Sequence, residues 1–339
     1  ANFIGQSGAV AAILGRVFAW GLAGCGALGT RPRSDPAVPS EVWFPSDIYD
    51  EDDPSRSERV AIIQQVAAGN KHSVALGADG SVYTWGHGSN GRLGLGHSTV
   101  QSSNSYSAAF EPRCVDTLRE TKIKYIAVGE AHSGAVDQLG GLHTWGQGSH
   151  GRCGHGVILD FSVPTRVESL TGVAIKQIAF GLMHSIATTM KGQLYAWGKG
   201  PATGLDSNNN AIVPAPRLVE MPDRDPVYQI AAGPLHTVLL MCDGTLYCFG
   251  SASEGRLPFK PPGGPKDQTY PKKMDRKGWS PEHERAVGHG AKGKGGPPRE
   301  GGAEDSDWWP GQVCSGGAHS AVLCEGGQTN LWLWGDRML

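Results

Sequence analysis

Five histidines are the residues of this sequence best suited to act as bases or metal ligands, and all occupy one place in a recurring motif. In the first four copies a Gly follows the His after eight residues and an aromatic residue follows it after 13. The histidines are His72, His132, His184, His236 and His319. A shared structural need explains all five, because an imidazole at the start of a strand can hydrogen-bond turn backbone that burial would leave without a partner. We therefore predict structural histidines, not a catalytic set.

Two other groups of residues resemble a metal site and a dinucleotide site in composition, but the neighbouring residues that such sites require are absent from the sequence. His143, His150 and His155 cluster in one repeat, but no carboxylate stands at a spacing that would complete a zinc site, so we expect loop histidines. The strings 86–91 and 146–151 match Gly-x-Gly-x-x-Gly, yet no helical periodicity follows them, as a dinucleotide site requires. We predict no enzyme active site, no metal and no cofactor.

Each copy of the motif has the pattern of a β-hairpin. Short β-rich runs flank a turn such as Asp79-Gly80, and each copy closes on an aromatic residue followed by Gly. The aromatic positions are Trp20, Trp85, Trp145, Trp197, Phe249 and Trp334. We expect these rings to pack between repeats, since buried aromatic side chains remove large apolar areas from water. The 50 glycines among 339 residues also argue against a mainly helical protein.

The period of the repeat predicts the architecture. Trp145, Trp197 and Phe249 follow one another at intervals of 52 residues, which is enough chain for a four-stranded sheet. One such sheet cannot bury both of its faces, so copies must pack face to face around an axis. The sequence predicts an all-β fold with a single β-propeller over residues 1–339. It would have six recognisable four-stranded blades, six or seven in all, and two long loop insertions.

These repeats resemble those of the regulator of chromosome condensation family. The family's Gly-x-x-His-Ser/Thr core and its terminal Leu-Tyr-x-Trp-Gly are matched in residues 69–86 and in the later copies, over residues 5–335 apart from insertions. The resemblance implies a seven-bladed propeller, usually closed by strands from both chain ends in one blade. The namesake exchanges guanine nucleotide on the small GTPase Ran with a wedge-like element, so the resemblance also implies nucleotide exchange as a candidate function.

The two insertions are where individual function is expected, because loops of a propeller vary while its hairpins are scaffold. The insertion at 30–59 carries an acidic run with aromatic neighbours, which suits either an acidic docking segment or a solvated loop. The acidic run, a candidate partner-binding segment, consists of Asp50, Glu51, Asp52 and Asp53. The insertion at 251–312 is basic and rich in Gly and Pro, as in a partner-ordered arm or a mobile loop. Its candidate partner-binding residues are Lys266, Lys272, Lys273, Arg276, Lys277, Lys292 and Lys294.

Charge and cysteine content narrow the function classes. The net charge of −2 does not indicate a protein that binds nucleic acid through its overall charge. RNA binding by the basic 251–312 arm alone is compatible with it. Seven cysteines without a Cys-x-x-Cys pair indicate reduced thiols in an intracellular compartment, either cytoplasm or an organelle such as the mitochondrion after removal of a targeting peptide. Arg16 interrupts the apolar stretch 8–29, so we expect a degenerate first repeat and no membrane span.

We predict a non-enzymatic protein-interaction scaffold, a subunit of a larger intracellular assembly that binds partners through its loop faces and the 251–312 arm. The alternative is a guanine-nucleotide exchange factor for a small GTPase. For the scaffold, deletion of residues 260–299 is expected to abolish association and to change the melting temperature by only a few degrees.

Overall fold

The computed structural model describes most of the repeats and leaves several connecting segments undescribed. The described residues are 4–5, 8–13, 15–21, 26–30, 38–44, 61–96, 108–205, 211–258, 267–274, 308–326 and 330–335. The predicted acidic run at 50–53 lies outside them, as do Lys266, Arg276, Lys277, Lys292 and Lys294. Among the described residues, no helix is long and apolar enough to cross a membrane.

The described strands form consecutive antiparallel sheets in chain order. Blade 1 contains β1 (Ile4–Gly5), β2 (Gly8–Ile13), β3 (Arg16–Gly21) and β4 (Ser40–Val42). Blade 2 contains β5 (Ile63–Ala68), β6 (His72–Gly77), β7 (Val82–His87) and β8 (Ala108–Cys114). Blade 3 contains β9 (Ile123–Val128), β10 (His132–Asp137), β11 (Leu142–Gly146) and β12 (Phe161–Arg166).

The later sheets repeat this order. Blade 4 contains β13 (Ile175–Phe180), β14 (His184–Thr189), β15 (Leu194–Lys199) and β16 (Ile212–Leu218). Blade 5 contains β17 (Val227–Ala232), β18 (His236–Met241), β19 (Leu246–Gly250) and β20 (Gln268–Lys273). The sixth sheet contains β21 (Trp308–Ser315), β22 (His319–Gly326) and β23 (Asn330–Gly335). The fold is thus all-β, a single propeller of radially packed sheets.

The core lies between consecutive blades. Every residue of β6, β14 and β18 is buried, as expected for central strands of a sheet that is covered on both faces. The Trp85 ring packs in a cluster with Val17 of blade 1, and Trp145 packs with residues of β6 in blade 2. Each blade therefore buries its apolar side chains against its neighbour, which no isolated repeat could do.

The predicted blade count requires correction. The described residues form five four-stranded sheets and one three-stranded sheet, so the complete four-stranded blades number five, not six or seven. The sixth sheet is incomplete because no described strand pairs with the outer edge of β23. The sheets formed by β1–β4 and β21–β23 are separate, so among the described strands no blade combines both ends of the chain.

The two segments predicted as loop insertions each contain an outer strand. β4 lies within 30–59 and β20 lies within 251–312. Val42 at the end of β4 and Met274 immediately after β20 are both buried. Parts of both segments therefore belong to blades, and the stretches available as loops are shorter than predicted.

Candidate interaction surfaces

Four of the five predicted histidines link neighbouring blades. In each, Nε2 of the imidazole contacts the side-chain oxygen of the Ser or Thr that follows the His of the next repeat. The contacts are His72 to Ser133 (2.8 Å), His132 to Ser185 (2.9 Å), His184 to Thr237 (3.2 Å) and His236 to Ser320 (2.7 Å). The fifth, His319, is half-buried. The Gly-x-x-His-Ser/Thr motif thus encodes a hydrogen bond between consecutive repeats. We name these four His–Ser/Thr pairs the histidine belt.

The Ser and Trp of a repeat share one acceptor in the preceding blade. Ser133 Oγ and Trp145 Nε1 both donate to the carbonyl oxygen of Arg92, each at 3.0 Å. Ser185 and Trp197 donate to the carbonyl of Arg152 in the same way. Since the Ser hydroxyl has one proton and gives it to that carbonyl, its oxygen accepts from the imidazole. The geometry therefore assigns Nε2 as a protonated ring nitrogen in His72 and His132.

The electrostatics of the belt agree with neutral rings. Burial, strengthened by nearby arginines, lowers the pKa of His72 and of His184 to about 3, and burial lowers that of His236 to about 3. Burial also places the pKa of His132 well below its ordinary value. A base enclosed between blades and bonded on Nε2 has no route to a substrate. The belt is a structural device of the propeller.

The histidines of the third repeat are not brought together as a metal site. His143 Nε2 lies 3.3 Å from Asp137 Oδ2, and His155 Nε2 lies 2.9 Å from Thr144 Oγ1. His150 occupies the loop after β11 with a positive φ of 62°. No group of three or more His, Cys, Asp or Glu side chains within the described ranges could hold a metal ion. The Gly-x-Gly-x-x-Gly strings form the short 3-10 turns Ser89–Gly91 and Ser149–Gly151.

Of the predicted basic residues, the structure describes Lys272 and Lys273. Both lie on β20, where Lys272 stands opposite Cys248 and Lys273 opposite Tyr247. The Lys273 Nζ is 3.6 Å from Asp223 Oδ2. These two lysines are part of blade 5 and do not belong to a free arm. RNA contact through the remaining basic residues stays a prediction.

A surface that the sequence did not single out lies in the connection between β11 and β12. Val157, Ile158 and Leu159 follow one another there with 43%, 52% and 64% of their area exposed. We name these three residues the apolar tip. Three consecutive exposed aliphatic side chains are unusual, because solvation of apolar area is unfavourable unless a partner covers it. In sequence an apolar run of this length indicates a buried strand, so hydrophobicity alone gives no sign of its exposure.

The connection that carries the apolar tip is anchored on both sides. Asn90 Nδ2 donates to Asp160 Oδ2 at 2.8 Å, and the backbone N–H of Gly148 donates to Asp160 Oδ1 at 2.9 Å. On the other side the N–H of Gly156 donates to the carbonyl of Pro214 in blade 4 at 2.9 Å. The tip therefore stands on residues fixed to blades 2, 3 and 4, which lowers the ordering cost of binding a partner.

The neighbourhood of the apolar tip adds apolar area and positive charge. Ile212 at the start of β16 is 40% exposed and stands opposite Lys199 at the end of β15. Burial, followed by the charges of Arg152 and Lys199, lowers the pKa of His150 on the adjacent turn. Blade 4 thus adds an exposed isoleucine and a lysine on strands that contact the turn Ser149–Gly151 of the same connection, and apolar area with a charged rim is the composition of a protein-binding patch.

Comparisons with known proteins agree with the propeller. The model of the RCC1-like domain matches residues 4–294. The ultraviolet-B receptor UVR8 of Arabidopsis thaliana is 31% identical over 258 residues, which cover 76% of this chain and 53% of that protein. The E3 ubiquitin-protein ligase HERC2 of Homo sapiens is 33% identical over 245 residues, 72% of this chain but 5% of that protein. This chain therefore spans about half of the first relative and a small part of the second.

Solved structures show the same fold at lower identity. Human WBSCR16 superimposes with a TM-score of 0.71 and 21% identity, covering 94% of this chain and 70% of that chain. Prp20p of Saccharomyces cerevisiae, described with its binding to Gsp1p and histones, superimposes with a TM-score of 0.68 and 23% identity over 97% of this chain and 70% of that chain. With the repeats, the belt and the matched domain in agreement, the chain belongs to the RCC1-like domain family.

Proposed function

We propose that this protein is a non-enzymatic interaction scaffold, a subunit of a larger intracellular assembly, that holds a protein partner on the apolar tip. The observation that carries the proposal is the exposure of Val157, Ile158 and Leu159 on a connection anchored to three blades. Exposed apolar patches of this kind mark interaction sites, and a few anchoring side chains supply most of the binding energy at an interface. Lys199, on a strand that contacts the turn Ser149–Gly151 before the tip, favours a partner with a carboxylate near its apolar surface.

The test compares protein capture by the wild type and by the triple variant V157S/I158S/L159S. A matched control is Leu139→Ser, which removes an exposed leucine from the turn between β10 and β11. The proposal requires a defined partner, identified by mass spectrometry and rebinding as a purified protein, whose affinity falls at least tenfold in the tip variant only. Equal capture by both variants would refute the assignment of the tip.

Nucleotide exchange is the second candidate, and the same tip is the observation in its favour. An exchange factor stabilises the nucleotide-free GTPase and needs no reactive side chain, only a projecting element that competes with the nucleotide. The measurement is release of a fluorescent guanine nucleotide from a panel of small GTPases at catalytic concentrations of this protein. Acceleration that disappears in the tip variant would favour exchange, whereas no acceleration across the panel would exclude it for that panel.

A further inference from the structure

A cavity of about 190 Å³ lies between blades 4 and 5. Its apolar lining includes Met183, Pro201, Ala202 and Leu235, and two charged residues, Lys199 and Asp267, line it as well. Sites for small molecules usually enclose roughly 300–1,000 Å³. The cavity is therefore of a size for one long side chain and too small for a typical cofactor.

The cavity lies where the turn of blade 4 differs from the turns of three other blades. Those turns carry an arginine seven residues after the aromatic residue that closes the hairpin, namely Arg92, Arg152 and Arg256. Blade 4 has Ala202 in the equivalent place, five residues after Trp197. The equivalence is structural, because the carbonyl of Ala202 accepts from Thr237 Oγ1 at 2.8 Å, as that of Arg152 accepts from Ser185 Oγ at 2.7 Å.

The arginine side chains of the other turns fold back over their own turns. Arg152 is 3% exposed, and its Nε donates to the carbonyl of Ser149 at 2.9 Å. Arg92 makes the equivalent bond to Ser89, also at 2.9 Å. The side chain of Ala202 ends at Cβ and lines the cavity. The missing arginine side chain therefore accounts for the open space.

Asp267 has a counterpart at another junction between blades. The residue after Asp160 pairs with Gly146 in blade 3, and the residue after Asp267 pairs with Gly250 in blade 5, so the two aspartates hold equivalent places before an outer strand. Oδ2 of Asp160 accepts from Nδ2 of Asn90, which lies in the turn of the preceding blade, at 2.8 Å. This place in a blade is thus suited to a carboxylate that accepts from a side-chain N–H.

The turn of blade 4 has no side chain that could act as Asn90 does. Within residues 200–204 the one polar side chain is that of Thr203, and its hydroxyl donates to the carbonyl of Gly200 at 2.9 Å. These five residues contain no side-chain N–H. The cavity therefore combines a carboxylate in its lining with a turn that brings no N–H donor side chain into it.

A guanidinium group on an aliphatic stem matches this lining. The methylenes of the stem would pack against Met183, Pro201 and Leu235, and the planar N–H fork can donate to a carboxylate at two points. A guanidinium is also more weakly hydrated than an ammonium, so it costs less to place between apolar walls. The lining thus favours arginine over lysine.

The cavity is continuous with the surface around the apolar tip. Strands β15 and β16 contact the turn Ser149–Gly151 of the connection that carries the tip. Lys199, the last residue of β15, also lines the cavity. A protein seated on the tip therefore lies beside the blade that forms one wall of the cavity.

We propose that the cavity between blades 4 and 5 binds an arginine side chain of the protein partner held at the apolar tip. The guanidinium would lie against Asp267 and the stem between Met183 and Leu235. The identity of the partner rests on the proposed function, whereas the preference of the cavity for a guanidinium can be measured without that partner.

The first experiment uses the whole protein with ¹³C-labelled methionine methyl groups and a small probe, Nα-acetyl-arginine N-methylamide. The matched ligand is the citrulline analogue, which has a similar shape and no charge. Met183 reports on the cavity, and Met190, which is 65% exposed, reports on non-specific binding. We expect the arginine probe to shift the Met183 signal saturably without shifting that of Met190, and the citrulline analogue to bind at least tenfold more weakly.

Protein variants locate the charge that the probe meets. Asp267→Asn should weaken binding of the arginine probe at least tenfold. Asp116→Asn, which removes an exposed carboxylate from the connection after β8, is the matched control and should bind the probe as the wild type does. Equal affinity for the two ligands would overturn the proposal. Absence of any Met183 shift would overturn it too, since the cavity would then be closed or filled by an arginine of this chain.

A second experiment separates this proposal from the proposed function. The tip variant V157S/I158S/L159S should bind the arginine probe as the wild type does, even though it loses the protein partner. Asp267→Asn should bind the purified partner at least tenfold more weakly than the wild type. Unchanged affinity of Asp267→Asn for a partner that the tip variant loses would overturn the assignment of the arginine to that partner and leave the tip in place.

Discussion

Nε2 of His132 lies 2.9 Å from Oγ of Ser185, a residue 53 positions further along the chain and one blade away. The Ser185 hydroxyl donates a hydrogen bond to the carbonyl oxygen of Arg152, 2.7 Å distant, in the connection between β11 and β12 of blade 3. A single imidazole therefore ties the second strand of blade 3 to blade 4, and blade 4 back to the loop of blade 3. Because this hydrogen bond recurs between consecutive blades, the blades are held in a fixed relative orientation by hydrogen bonds in addition to apolar contacts.

Replacing the Ser of one link should destabilise the propeller. Ser185→Ala leaves the Nε2–H of His132 buried without an acceptor, which should lower the free energy of unfolding by ~1–3 kcal/mol. The change in the free energy of unfolding is measured by denaturant titration, with tryptophan fluorescence as the signal. Ser169→Ala, at an exposed position, is the matched control and should have little effect. Equal effects of both substitutions would show that the link contributes nothing.

Acid should weaken the fold through the belt. Because the folded-state pKa of His184 is depressed to about 3, the unfolded chain takes up a proton below its ordinary value of 6.5 while the folded chain does not. Stability is therefore present above pH 6.5 and falls as the pH drops toward 3, by about 1.4 kcal/mol per pH unit for each such histidine. Unfolding measured between about pH 6.5 and about pH 4.5 gives the slope. In His184→Gln the slope should be smaller, and an unchanged slope would contradict this account.

Much of the fold can be predicted from the repeated motif, and the exceptions have physical causes. The Gly-x-x-His spacing identifies the hairpins, but it cannot identify Ser185 as the partner of His132, since that contact is between repeats. The outer strands escaped detection because their burial is irregular, as in β8, so they lack the alternation that marks a strand. The exposure of the apolar tip cannot be predicted from sequence, because hydrophobicity predicts burial and the hydrogen bonds that hold Asp160 next to the tip are formed only in the folded chain.

The glycine of the motif should be intolerant of any side chain. A Cβ on Gly129 would lie 2.5 Å from Cε1 of His132 and 2.6 Å from the carbonyl oxygen of Gly181. Gly129→Ala should therefore displace the imidazole from Ser185 and cost about 1–3 kcal/mol or more. A Cβ added at Gly156 would have no other atom within 4 Å, but the backbone φ of Gly156 is +79°. Gly156→Ala is therefore expected to cost only backbone strain of roughly 1 kcal/mol. Thermal unfolding compares the two, and a greater loss in Gly156→Ala would contradict the steric explanation.

The outer strand of blade 5 should be a stability element even though it lies in the basic segment. Met274 is buried among Val313 and Val322 of the sixth sheet, so Met274→Ala should cost ~2–5 kcal/mol. Lys273→Ala removes only an exposed ion pair with Asp223, worth at most ~1 kcal/mol. Deletion of residues 260–299 removes this strand, so it should lower the melting temperature markedly. A melting temperature preserved in that deletion would place blade 5 outside the stable core.

Cysteine accessibility provides a test of blade packing that needs no substitution. Cys242 is exposed on the turn after β18, whereas Cys153 is fully buried and burial raises the pKa of its thiol to about 12. Burial also raises the pKa of Cys248 on β19. Because the thiolate is the reactive form, a thiol reagent at mildly alkaline pH should modify Cys242 quickly and leave Cys153 and Cys248 unmodified until the protein unfolds. Peptide mapping after a timed pulse distinguishes the sites. Modification of Cys153 at the rate of Cys242 would mean that blades 3 and 4 separate readily in the native state, and the histidine belt would then have no role in holding them together.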